Sequence, residues 1–109
     1  MDGATNSQRK PQAPKVAPNF IDNIPLLQVA ANSPPASVAG AVAGCIRDYR
    51  QVYLQAIGAG AVNQAVKAVA IARGYLAPSG DEIVCIPQFH DIKIGEEERT
   101  TIRLLVQIR

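Results

Sequence analysis

Apolar positions change their period several times along the chain, and each change predicts an element. Ile24-Pro25-Leu26-Leu27-Gln28-Val29-Ala30 is short, apolar and partly β-branched, which predicts a strand. Pro25 suits its start, where a missing N–H costs little. Ser33 follows as a natural N-cap, with Pro34 at the first helical position. Val38, Val42, Cys45, Ile46 and Tyr49 then recur at i, i+4, i+7, i+8 and i+11, one face of a helix. Gly40 and Gly44 lie beside that face. A glycine costs about 1 kcal/mol in a helix interior, so the pair predicts close packing of this helix on a sheet. Residues 52–57 predict a second strand, which Gly58-Ala59-Gly60 breaks. A second helix is predicted over residues 61–73. Val62, Val66, Val69 and Ala70 give it one face, Ala61, Ala65, Ala68 and Ala72 another, and Gly74 is its stop signal. So little polar surface predicts burial on more than one side, with a subunit partner as the simplest second cover.

Ile83-Val84-Cys85-Ile86 is apolar on both faces, the pattern of a central strand, and Pro87 is expected at a bulge or bend. Ile92-Lys93-Ile94 resumes alternation and Gly95-Glu96-Glu97-Glu98 reads as a turn. Ile102, Leu104, Val106 and Ile108 then alternate with Arg103, Leu105, Gln107 and Arg109. The predicted order is β-α-β-α-β-β. Two crossovers and a terminal hairpin make a mixed four-stranded sheet with two helices, a two-layer α/β sandwich. Residues 1–22 carry Pro11, Pro14 and Pro18 and no apolar period. They read as a flexible, weakly basic tail on a domain of residues 23–109.

Composition narrows the function classes. With 109 residues the chain makes one domain. Its 11 basic and 9 acidic groups give a net charge of +2. The tail holds Arg9, Lys10 and Lys15 against Asp2 and Asp22, and residues 23–109 hold eight basic and seven acidic groups. Each part is +1, too little for a histone-like DNA packager. Aromatic residues are 5% of the chain, which disfavours a platform for stacked bases. His90 is the only histidine, so a multi-histidine metal site is excluded. No nucleophile has a His and acid set around it. The expectation is a protein that is not an enzyme and needs no metal or cofactor. Cys45 and Cys85 lack a CxxC pattern and read as small buried hydrophobes. A polar N-terminus and the lack of an apolar run of about 18 residues predict a cytoplasmic protein with no membrane association.

The sharpest local feature is the strand–glycine–helix junction Ile57-Gly58-Ala59-Gly60-Ala61-Val62-Asn63-Gln64. Free N–H groups and the positive end of the helix dipole meet there, which suits a phosphate. A tight glycine turn and nothing more is the structural alternative. Asn63, Gln64 and Lys67 fall in the first two helical turns, within reach of a phosphate or a base edge. Glu96, Glu97 and Glu98 read as a solvated hairpin tip, and His90 beside Asp91 as a surface pair.

Longer strings carry a resemblance. The segments from Ser37 to Gly44 and from Gln55 to Gly74, followed by Ala77-Pro78-Ser79-Gly80, Ile86-Pro87 and Glu97-Glu98-Arg99-Thr100, resemble the bacterial stage V sporulation protein S family. The resemblance runs from about Leu26 to Arg109. That family is similar to the archaeal Alba proteins, which implies an Alba-like β-α-β-α-β-β fold, a dimer or larger homo-oligomer, binding of RNA or DNA, and a regulatory role in sporulation. Alba-type binders carry lysines in the turn after the first strand, where this chain has Ala31-Asn32-Ser33. They carry basic residues at the second helix, where it has Gly58, Gly60 and Gln64. The candidate nucleic-acid contacts are therefore Gly58, Ala59, Gly60, Asn63, Gln64, Lys67 and Asn32, with Arg9, Lys10 and Lys15 as auxiliaries. The alternative is a protein-interaction or scaffold module that keeps the fold without binding nucleic acid.

Overall fold

Strand β2 (Ile24–Val29) buries Leu27 and Val29 on one side, and α1 (Pro35–Tyr49) lays Ala39, Val42, Ala43 and Ile46 over it. The computed structural model describes residues 19–109. The tail reading of residues 1–18, with Arg9, Lys10 and Lys15, lies outside the described residues. After α1 come β3 (Gln51–Ala56), α2 (Ala59–Leu76), a single 3-10 turn (Ala77–Ser79), β4 (Ile83–Ile94) and β5 (Glu97–Ile108). Both helices cover one face of the sheet. The core between the layers is built on Val52, Leu54, Leu104 and Val106 from the sheet, and on Val42, Ile46, Ala65, Ala68, Ala72 and Leu76 from the helices.

The sheet has five strands rather than four. Strand β1 (Asn19–Ile21) falls within the stretch read from sequence as tail and pairs antiparallel with β2. Asp22 and Asn23 turn the chain at φ +53° and +68°, the left-handed pair that a tight hairpin requires and that Asp and Asn tolerate. Phe20 meets Tyr49 edge-on at 5.3 Å between ring centroids, joining β1 to the end of α1.

The strand order is β1-β2-β3-β5-β4, with β2 and β3 parallel and the other pairs antiparallel. Residues 83–86, expected at the centre, therefore lie on an edge. β5 takes the inner place because Leu104 and Val106 align beside Leu54 and Val52 and complete the core. β4 pairs with β5 without a bulge through all twelve of its residues, Pro87 included. The Arg109 N–H donates to the Glu82 carbonyl at 2.8 Å. Counting from that pair, Pro87 opposite Leu104 takes a non-hydrogen-bonded position. Its nitrogen faces the open edge, so no ladder bond is lost. The hairpin turns at Gly95-Glu96, with Gly95 at φ +64°.

The helix ends also differ from the sequence reading. Ser33 does not cap α1; its hydroxyl accepts the Ala30 N–H at 2.8 Å, and Pro34 takes the N-cap position. Gly74 does not stop α2. Leu76 extends the buried series Ala61, Ala65, Ala68 and Ala72 by one more turn, and that burial carries the helix past the glycine to Leu76; the 3-10 turn that follows ends at Gly80, at φ +79°. A Cβ on Gly40 or Gly44 would meet open space, so neither serves the close packing expected of it. The close α1–α2 approach is made by alanines instead. Cys45 is half-buried against the core, but Cys85 is exposed, contrary to its reading as a buried hydrophobe.

Candidate nucleic-acid interface

The junction between β3 and α2 is built from its backbone. Gly58 sits at φ +92° and ψ 158°, open to glycine and strained for other residues, and occupies the N-cap of α2 without a side-chain cap. The first intrahelical bond runs from the Val62 N–H to the Gly58 carbonyl at 3.1 Å. The N–H groups of Ala59, Gly60 and Ala61 thus precede the helical ladder. Ala59 and Gly60 are exposed, and the first turn contains no acid to offset the positive end of the dipole. Asn63 and Lys67 follow one and two turns on, both exposed.

The turn between β2 and α1 lies against the same helix end. Gln64 Nε2 donates to the Ser33 carbonyl at 2.9 Å. A Cβ on Gly60 would come within 3.0 Å of the Ala31 Cβ. Asn32 sits exposed between those two anchored residues, at the rim of the junction. The structure therefore brings Gly58, Ala59, Gly60, Asn63 and Asn32 to one end of the molecule, with Lys67 further along the helix. Gln64 is a tie between the turn and the helix.

Beside the junction runs a cleft of about 580 Å³, lined by Gly58, Ala59, Val62, Asn63, Val66, Phe89, Thr100 and Ile102. Sequence reasoning missed its outer wall. Phe89 pairs with Ile102 on the helix side of the sheet and is 81% exposed, because the β4–β5 hairpin runs on beyond β3. Alternation in β5 places Ile102 on the core face, but nothing local to β4 shows that Phe89 beside it stays exposed. Val66, assigned from sequence to an apolar helix face, is 53% exposed beside the same cleft.

A second cleft, of about 430 Å³, opens at the far end of α2 between Arg73, Gly74, Ala77, Gly80, Asp81 and Glu82. Its carboxylates engage the nearby arginines: Arg73 and Arg109 reach Glu82 at 3.8 and 3.3 Å, and Arg50 reaches Asp81 at 3.8 Å. These exposed pairs leave little free positive charge for an anion. Among the described residues, no group of three or more His, Cys, Asp or Glu side chains is placed to hold a metal, and no helix is long and apolar enough to cross a membrane.

The model of the stage V sporulation protein S (SpoVS) family matches residues 25–109. Among solved structures, Alba from Thermoplasma volcanium is similar in fold, with a TM-score of 0.53 at 14% sequence identity, over 75% of this chain and 98% of that one.

Proposed function

The chain belongs to the stage V sporulation protein S family, and we propose that it is a non-enzymatic, cytoplasmic regulator that binds RNA or DNA as a homo-oligomer, holding phosphate at the first turn of α2. One observation carries this reading: α2 begins uncapped, at exposed residues Ala59 and Gly60 whose N–H groups precede the helical ladder, with no acid in its first turn. Backbone donors at a helix start bind phosphate without a broad basic field, which suits a domain of net charge +1. Asn63, Lys67 and Asn32 border the same spot, and Arg9, Lys10 and Lys15 add charge from the N-terminal segment. The Alba-like fold supports the reading, since the resemblance ties it to nucleic acid and to oligomers.

The exposed Phe89 and Val66 support self-association through the adjoining cleft. The same observation favours the second reading, a protein-interaction module without direct nucleic-acid binding.

An Ala59→Glu variant separates the two. A carboxylate in the first turn interacts favourably with the helix dipole, so the fold persists while the anion site is filled from within. Under the first reading, affinity for labelled duplex and single-stranded oligonucleotides falls at least about tenfold, and the salt dependence becomes shallower. Wild-type protein that binds neither probe at low salt supports the second reading instead.

A further inference from the structure

The two outer strands of the sheet differ in how much edge they leave open. β1 offers an added strand three residues. β4 offers twelve, and among the described residues it pairs with β5 alone. The inner seam is closed by contrast. β3 and β5 pair from Gln51 to Ala56, and Arg103 Nε and Nη2 both donate to Gln55 Oε1 across it, at 3.1 and 2.7 Å. On β4 the residues from Cys85 to Phe89 are all exposed.

An open edge of this length is a template for pairing with another chain, and proteins blunt it with charges, a bulge or a proline. From Ile83 to Phe89 the strand has neither a charged residue nor a bulge. Ile83, Val84 and Ile86 have the β-branched, uncharged character that pairs readily with a second copy. Glu82 and Arg109 form a hydrogen-bonded pair, so the even-numbered residues of β4 bond to β5. Ile83, Cys85, Pro87, Phe89, Asp91 and Lys93 turn their backbone groups to the open edge. Pro87 interrupts that row. It has no N–H to offer, and its ring stands where the carbonyl of an added strand would lie.

We propose that Pro87 is a stop against sheet extension, which keeps β4 from pairing with the β4 of a second copy. Two copies related by a twofold axis would pair these edges antiparallel, so each strand would bring its own proline into the shared ladder. A register that avoids both prolines leaves only Ile83 to Cys85, or Phe89 to Ile94, on each copy. The first stretch is too short to hold a pair together, and the second carries the charges of Asp91 and Lys93, which blunt an edge in their own right. Pro87 thereby guards the one uncharged stretch of the edge and leaves self-association to other surfaces. The stop stands whether or not the α2 site holds phosphate.

Pro87→Thr in the full chain tests this. The change leaves every ladder bond within the chain in place and adds no large apolar surface, so new association reports the regained N–H. In sedimentation velocity at equal concentration, the variant is expected to form larger assemblies than the wild type. Edge pairing should be favoured at least about tenfold, from one hydrogen bond regained on each copy. Hydrogen exchange at the Cys85 N–H, which faces the open edge, should slow as those assemblies form. A second measurement needs no variant: in the wild-type chain, Cys85 exchange should keep one rate at every protein concentration. A folded Pro87→Thr chain that sediments as the wild type overturns the proposal. So do larger assemblies that leave Cys85 exchange unchanged, which would place the new contact elsewhere. Cys85 exchange that slows with concentration in the wild type also overturns it, because the edge would then pair despite the proline.

Discussion

Gly60 and Ala31 approach so closely that a Cβ added to the glycine would lie 3.0 Å from the Cβ of the alanine. Gly60 therefore lets the β2–α1 turn close against the start of α2, with the Gln64–Ser33 hydrogen bond as its second tie. Gly60→Ala gains about 1 kcal/mol of helix propensity but drives the turn outward, with an overpacking cost of about 1–3 kcal/mol. The expected net result is destabilisation. Ala31→Gly should relieve it, so that denaturant unfolding of the two single variants and the double variant yields a favourable coupling of about 1 kcal/mol. Additive effects would show that the contact is loose.

The opposite result is expected at Gly40, Gly44 and Gly74. All three lie inside helices, none has a positive φ, and a Cβ at each meets no neighbouring atom within 4 Å. Replacement by alanine should stabilise the chain by about 0.5–1 kcal/mol per site, read from urea midpoints at constant m-value. If Gly40→Ala or Gly44→Ala instead weakens self-association in sedimentation, the glycines serve contact between copies rather than packing within one chain.

The two helices, the parallel β2–β3 pair and the terminal hairpin were legible because each has a clean hydrophobic period. The place of β4 was not. Ile83-Val84-Cys85-Ile86 is apolar on both faces whether it lies inside the sheet or along its edge, and Pro87 cannot decide between them when its nitrogen faces solvent. Strand β1 was missed because three residues carry no period, although the Asp22-Asn23 turn was a usable signal. At the candidate site, Gly58, Ala59, Gly60 and Asn63 could be placed because a strand–glycine–helix junction is local. The engagement of Gln64 with Ser33, the exposure of Phe89 and the pairing of Arg103 with Gln55 arise between residues 13 to 48 positions apart. No local pattern encodes them.

The two thiols give the fold a pH dependence of definite sign. Burial raises the pKa of Cys45, with the Asp48 carboxylate adding to it, and partial desolvation raises that of the more exposed Cys85. Each group thus holds its proton more tightly when folded than when unfolded. As pH climbs through the ordinary thiol range, near about 8.5, the unfolded chain releases its protons first. Stability is fully retained below that range and falls with rising pH until the folded thiols ionise as well. Urea midpoints should therefore drop between neutral and alkaline pH, and the drop should shrink in Cys45→Ala, which removes the half-buried thiol while leaving Cys85 in place. Iodoacetamide at neutral pH should modify both cysteines more slowly than a free thiol, with Cys45, packed against the core, the slower of the two. Labelling of Cys45 at the free-thiol rate, or an alkaline loss equal in wild type and Cys45→Ala, would contradict this account.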